Sequence, residues 1–345
     1  SRDYIIEKLD VFAKNKFLKK FLIESYDLYD QKKYDKIIQK FSQLNEFQID
    51  QDLGVEYHDK DFFEQRYSEE VLNSFVPTGF YQFDQSFMGW HNKCLHIIAG
   101  PSNAGKTMWL VNFVTQRLLD TQRTNNHILY ITLEIDEDQL GRRMDACMMG
   151  LTTKELFQNP NTRLRAMLDK SMNELNNQVM IKYMTGYHTS PSDLDACLRN
   201  LEITTEGNFK PTMLIVDYLS LLRPTVMYRD MNSYEKGRSV SVELRSIAQK
   251  YGIPVIAAAQ TNRDSFGNLS GQDKISDSIA IAQTADLLMT INRNEELDQQ
   301  DQVEGYLAKS RFCRNGDKFL FHADYDCMKL SDVLVGDNEG EKTYD

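Results

Sequence analysis

Gly100-Pro101-Ser102-Asn103-Ala104-Gly105-Lys106-Thr107 is the stretch whose residue types and spacing most directly suggest chemistry. It fits GxxxxGK[ST], following an apolar run (CLHIIA) and preceding a helix-forming run (MWLVNFVTQRLL). Glycines allow backbone N–H groups to close around phosphate oxygens at the positive end of a helix. The cradle is expected from Gly100, Ser102, Asn103, Ala104, Gly105, Lys106, Thr107 and Met108. Lys106 should reach the β- and γ-phosphates and Thr107 should hold Mg²⁺. These residues imply a site for ATP or another nucleoside triphosphate.

Three further residues end apolar runs where such a site would need them. Asp217 closes MLIVD, where a carboxylate can bind Mg²⁺ through water in the manner of a Walker B aspartate. Glu134 ends HILYITLE, placed to polarise the water that attacks the γ-phosphate. Gln260 ends IPVIAAAQ, where a neutral amide can contact the γ-phosphate and report its loss.

The elements that must position these residues follow from the pattern. CLHIIAG (94–100), HILYITLE (127–134), TMLIVDYLSLL (212–222), IPVIAAAQ (253–260) and ADLLMTIN (285–292) read as buried strands alternating with helices. That alternation predicts a mostly parallel α/β sheet, with a terminal β-meander from Gly305 to Asp326. Before it, residues 1–48 repeat apolar side chains at helical intervals (Ile5, Leu9, Phe12; Phe17, Phe21, Leu28; Ile37, Phe41, Leu44), which predicts an amphipathic helical arm. Residues 49–75 read as a connecting segment, 76–330 as the main domain, and 331–345 as an acidic, frayed tail.

Composition narrows the class. The chain has 345 residues, 41% hydrophobic and 26% charged, which excludes wholesale disorder. Mean hydropathy is −0.51, and no apolar run approaches the ~20 residues that cross a bilayer, so a cytoplasmic protein without a membrane partner is expected. Five scattered cysteines without a CxxC pair fit packing in a reducing compartment. The net charge of −11 does not exclude a nucleic-acid partner, because the acid is concentrated. Residues 1–70 carry 12 basic and 16 acidic side chains, and 295–304 and the tail are strongly acidic. Local patches decide phosphate binding.

The order VPTGFYQFDQSFMGW, AGPSNAGKT, LYITLEIDEDQLGRRMDA, LIVDYLSLL, IPVIAAAQTNR, TADLLM and AKSR resembles the DnaB-family hexameric replicative helicases, in particular the T-even bacteriophage type. The resemblance covers about residues 76–325 and extends weakly over 1–70, which resemble the linker helix of that family. The amino-terminal domain carried before that linker is not in the sequence, and the abrupt start at Ser1 fits a fragment of a longer chain. The resemblance implies a RecA-like α/β P-loop NTPase, preceded by a helical arm, that forms a homo-hexameric ring around single-stranded DNA. It also implies a primase and a helicase loader as partners. By motif, Glu134 resembles the catalytic glutamate, Asp217 the Walker B aspartate and Gln260 the γ-phosphate sensor. Lys309 and Arg311 resemble the basic pair that enters a neighbouring subunit's site. At i and i+2 they share a face of an extended strand; a salt bridge to the acidic 295–304 segment is the competing reading, and Arg314 is a second-choice finger.

DNA-facing loops are expected after Asp217 and before Thr284. In 223–238, Arg223, Arg229, Lys236 and Arg238 are interleaved with Tyr228 and Tyr234, a composition that suits tracking of a single strand. The second loop carries Lys274, Ser276 and Asp277. Bacterial members have an arginine where Ser276 stands, which moves the expected contact there to backbone N–H groups. A RecA- or KaiC-like recombinase or switch shares the P-loop logic and differs in the arm and the late AKSR pair. An inactive structural subunit would not need the intact Lys106, Thr107, Glu134 and Asp217.

Overall fold

A computed structural model describes residues 19–34, 36–37, 55–68, 75–158, 162–261 and 279–333. The chain divides into two compact units, Ser1–Ser68 and Glu69–Asp345. In the first unit, residues 19–30 are helical and expose Leu22, Ile23, Tyr26 and Tyr29. A second helix, Lys60–Arg66, starts at Asp59, whose carboxylate accepts the Phe62 N–H (2.8 Å). The Arg66 guanidinium covers the rings of Tyr57, Phe62 and Phe63. The rest of the expected arm, 1–18 and 38–48, lies outside the described residues.

The second unit is built on a nine-stranded sheet. Its strands are β1 (Leu95–Gly100), β2 (His127–Thr132), β3 (Gln178–Tyr183), β4 (Met213–Asp217), β5 (Val255–Gln260), β6 (Leu287–Asn292), β7 (Gln302–Ser310), β8 (Lys318–Asp324) and β9 (Lys329–Asp332). Their order is β3-β2-β4-β5-β1-β6-β7-β8-β9. The first six in that order pair in parallel and the last three join antiparallel. All five expected strands are present. The meander is present too, running from Gln302 to Asp332.

Alternation along β1 explains the layers. Leu95, Ile97 and Ala99 face a core shared with Leu244 and Ile247 of helix Ser233–Tyr251, while Ile98 faces the core of helix Lys106–Leu118. A strand covered on both faces carries few polar side chains, which is why CLHIIAG shows no polar alternation and holds only His96, itself buried. The lead-in motif FYQFDQSFMGW supplies Phe80, Phe83, Phe87 and Trp90, which pack on Trp109, Phe113, Phe319 and Phe321. The motif therefore welds the P-loop helix to the meander.

Besides the meander's wider span, three boundaries differ from the sequence reading. The run 212–222 is a strand only to Asp217, with a 3₁₀ turn at Leu219–Leu221 beyond it. β2 ends at Thr132, so Glu134 stands in the bend beyond the strand. The acidic tail does not begin at 331: Ser331 and Asp332 complete β9, and the Asp332 carboxylate accepts the Tyr81 N–H (2.9 Å). Pairing and this bond outweigh the local acidity. Residues 334–345 lie outside the described residues.

His96 on β1 is fully buried against Trp90, with Nε2 3.1 Å from the His91 carbonyl oxygen. Burial pushes its pKa down to about 3 from 6.5. The unfolded imidazole takes a proton below 6.5 and the folded one does not. His96 thus contributes full stability above pH 6.5, and this is lost as pH falls, at up to about 1.4 kcal/mol per unit. In urea melts between pH 7 and 5, His96→Leu should show a flatter dependence than the parent chain; parallel curves would refute this.

Candidate nucleotide site

The cradle forms where β1 delivers the chain to helix Lys106–Leu118. Asn103 and Gly105 take positive φ (63° and 90°), and Gly105 is the residue capping the helix. At Gly100 a Cβ would stand 3.1 Å from the Ala104 Cβ, so glycine lets the loop close on itself. The first helix-closing bond runs from Trp109 N–H to Gly105 O (3.1 Å), which leaves the N–H groups of Lys106, Thr107 and Met108 unspent within the helix. That is an anion-binding end. Ser102 and Asn103 are exposed on the loop and Ala104 is buried beneath it. The Met108 side chain is core, so its backbone N–H is the group it can offer to the cradle.

Lys106 donates to the carbonyl oxygens of Gly100 (3.1 Å) and Pro101 (2.7 Å). Burial lowers its pKa, while the charges of Asp217 and Glu134 hold it up. Asp217 ends β4, paired with Thr132 of β2, and is 3% exposed. Burial raises its pKa against hydrogen bonds from Thr107 and Tyr130; the Glu134 charge raises it further and Lys106 lowers it. The Tyr130 hydroxyl donates to Asp217 Oδ2 (2.9 Å). Tyr130 was not singled out in the sequence, where it reads as one more apolar strand residue.

Glu134 is exposed at this edge, and the neighbouring Leu133 N–H donates to the Asp217 carbonyl (2.8 Å). Gln260 pairs in register with Gly100, which brings it to the mouth of the P-loop. Lys106, Thr107, Glu134, Asp217 and Gln260 therefore meet at one edge. Two residues absent from the sequence reading join them. The Arg293 guanidinium donates to the Asn103 carbonyl (3.1 Å) and lies 4.3 Å over the Tyr325 ring. The Tyr325 ring is in turn 3.9 Å from the Cβ position of Gly105.

Thr107 and Asp217, joined by a hydrogen bond, are a hydroxyl and a carboxylate, a donor set that suits Mg²⁺, which keeps most of its waters. Among the described residues no group of three or more His, Cys, Asp or Glu side chains could hold a metal by itself.

Lys309 and Arg311 lie elsewhere. β7 runs antiparallel to β6, with Ser310 opposite Leu287, which itself pairs with His96 near the start of β1. They sit at the edge opposite their own P-loop, about 13 Å away along the strand at ~3.3 Å per residue. Arg311 lies beyond the end of β7, so the shared-face expectation does not describe the pair. Lys309 donates to the carbonyl oxygens of Ala282 and Gln283 (2.8 Å each). Arg311 is 47% exposed and pairs through Nε with Asp286 (3.3 Å), not with 295–304.

The DNA-loop residues separate. Helix Ser233–Tyr251 begins with a capping box of Asn232 and Glu235. Lys236 and Arg238 consequently lie on its first turns and not on a loop. Arg229 and Tyr228 are exposed before it, and Arg223 donates to the His188 carbonyl (2.8 Å). Lys236 and Arg223 line a cavity of about 450 Å³ that Gln260 also borders. Lys274, Ser276 and Asp277 lie outside the described residues.

Sheet order, cradle and edge carboxylates define a RecA-like P-loop NTPase. Residues 75–328 match the DnaB-like helicase C-terminal domain, and the chain belongs to that family. It is 28% identical over 278 residues to the replicative DNA helicase DnaC of Bacillus subtilis, covering 77% of this chain and 58% of that one. It is 25% identical over 232 residues to the DnaB-like replicative helicase of Enterobacteria phage T4, covering 65% of this chain and 46% of that one. The chain thus spans about half the length of these relatives. In three dimensions it resembles a DnaB-like replicative helicase solved in a study of its interactions with primase (TM-score 0.71, 15% identity, 96% of this chain and 78% of that one). It also resembles a second solved structure, an isolated ATPase domain (TM-score 0.65, 18% identity, 81% of this chain and 100% of that one).

Proposed function

We propose that the chain is the motor part of an ATP-hydrolysing replicative DNA helicase that assembles as a homo-hexameric ring on single-stranded DNA. One observation carries the reading: the nucleotide-binding groups and the Lys309–Arg311 pair occupy opposite edges of one sheet. A ring of such chains places one chain's second edge against the next chain's first. No single chain completes the site.

Within the site, Lys106 and the N–H groups of 106–108 take the phosphates, and the Arg293–Tyr325 pair offers a flat face to the base. Glu134 orients and polarises the attacking water, and Gln260 reads the γ-phosphate. Mg²⁺, held through Thr107 and Asp217, would neutralise charge on the phosphate oxygens. Arg311 of the neighbouring chain meets the charge that builds on the transferring group. Arg229, Lys236 and Arg238 track the DNA backbone, with Lys274, Ser276 and Asp277 on the second loop. The exposed Leu22, Ile23, Tyr26 and Tyr29 support docking of the arm on a neighbour. A primase and a loader are the further partners proposed.

The shared site is tested by mixing. Glu134→Gln and Arg311→Ala assemblies should each lose ~10²-fold or more in ATPase rate. A mixed ring can pair an intact Glu134 with a neighbour's intact Arg311, so activity should return as tagged subunits exchange. No return at any ratio, with exchange verified, would place Arg311 outside the neighbour's site.

DNA contact is tested by salt. Replacing Arg229, Lys236 and Arg238 with glutamine should weaken single-strand binding and reduce the slope of log K against log salt by about 0.7 for each phosphate no longer neutralised. An unchanged slope would show that this surface faces away from DNA.

A further inference from the structure

We infer that Asp286 and Arg245 are positioning residues that hold the guanidinium of Arg311 ready for the neighbouring chain's nucleotide. The inference rests on the reading of Arg311 as the trans-acting cation and adds the residues that set it.

Asp286 precedes β6 at the edge away from the P-loop and is 1% exposed. A carboxylate so buried is costly unless every lone pair finds a partner. Here the partners converge from three elements. Oδ2 accepts the Leu95 N–H of β1 (2.9 Å) and Arg245 Nε (3.1 Å); Oδ1 accepts Arg245 Nη2 (2.9 Å) and faces Arg311 Nε at 3.3 Å. The backbone repeats the tie, since Asp286 N–H donates to Leu95 O (2.8 Å) and Arg311 N–H donates to Asp286 O (3.0 Å). Arg311 is thus anchored twice to one residue, which is itself anchored to the P-loop strand and to helix Ser233–Tyr251.

The geometry uses a property peculiar to arginine. A guanidinium is a rigid planar fork, so an anchor at Nε restricts the orientation of the whole group. Among the described residues Nη1 and Nη2 of Arg311 have no hydrogen-bond partner, and the side chain is 47% exposed. One edge of the fork is held and the other is open to a phosphate. Arg245 fills the Asp286 carboxylate side-on, which fixes its orientation and leaves Arg311 the longer contact. Two guanidinium groups share one carboxylate, and Lys309 adds a third cation nearby. The cluster stays positive overall, which favours an incoming triphosphate.

A purely structural tie between strands would show the same contacts, and a double-mutant cycle separates the two. ATPase kcat and nucleotide KM are measured for Asp286→Asn, Arg311→Ala and the double variant of the full chain, with assembly checked by light scattering. Asp286→Asn should lower kcat on the order of 10²-fold with KM little changed, as expected for a misplaced catalytic group. The double variant should be no slower than Arg311→Ala alone. A double variant slowed by the product of the two single losses would overturn the inference while leaving the trans reading intact. An Arg311→Ala variant with unchanged kcat would instead overturn the trans reading and the inference with it. Should Asp286→Asn fail to fold or assemble, Arg245→Gln takes its place in the same cycle, since the Arg245 side chain is 30% exposed. A smaller loss in kcat, absorbed in the Arg311→Ala background, is expected there; a multiplicative loss or an unchanged kcat for Arg245→Gln would overturn the inference.

Discussion

Parallel pairing at the centre of the sheet is the constraint on which the rest depends. Strands that run the same way must end at the same edge, so β1, β2, β4 and β5 bring the P-loop, the bend at Glu134, Asp217 and Gln260 together. β7 reverses against β6, and the same hydrogen-bonded register carries Lys309 and Arg311 to the other edge. The separation follows from strand direction and rise per residue and does not depend on any side-chain rotamer. The distance between these two groups within one chain is therefore a property of the topology.

Burial then decides how the groups at each edge behave. Asp217 and Asp286 are both nearly inaccessible carboxylates, yet they are stabilised differently. Asp217 is met by two hydroxyls, from Tyr130 and Thr107, and neutral donors hold its oxygens while leaving charge to attract a cation. Asp286 is met by two guanidinium groups and a backbone N–H, which consume its charge. The first arrangement suits a metal ligand and the second an anchor. The aromatic lead-in packs the meander onto the P-loop helix through Trp109 and Phe113.

Much of this was legible in the sequence where burial is two-sided. Strands such as MLIVD and VIAAAQ are apolar up to the polar residue that ends each one, which makes Asp217 and Gln260 conspicuous. β3 was not legible: Gln178–Tyr183 is an edge strand, half-exposed, and Gln178 and Lys182 break its apolar pattern. Lys236 and Arg238 read as loop residues because the preceding Tyr228–Asn232 is polar, yet Asn232 and Glu235 form the capping box that starts a helix there. Tyr130, Asp286 and Arg245 escaped notice for a different reason. Their importance lies in partners 87, 191 and 41 residues away, and no local spacing records such a contact.

The most direct test of the account is specific ATPase activity per chain against protein concentration, with assembly state read by light scattering on the same samples in saturating Mg²⁺–ATP and single-stranded DNA. A site completed by the next chain predicts negligible turnover where the protein is monomeric, rising in proportion to the assembled fraction. Full turnover per chain in samples that remain monomeric would contradict it.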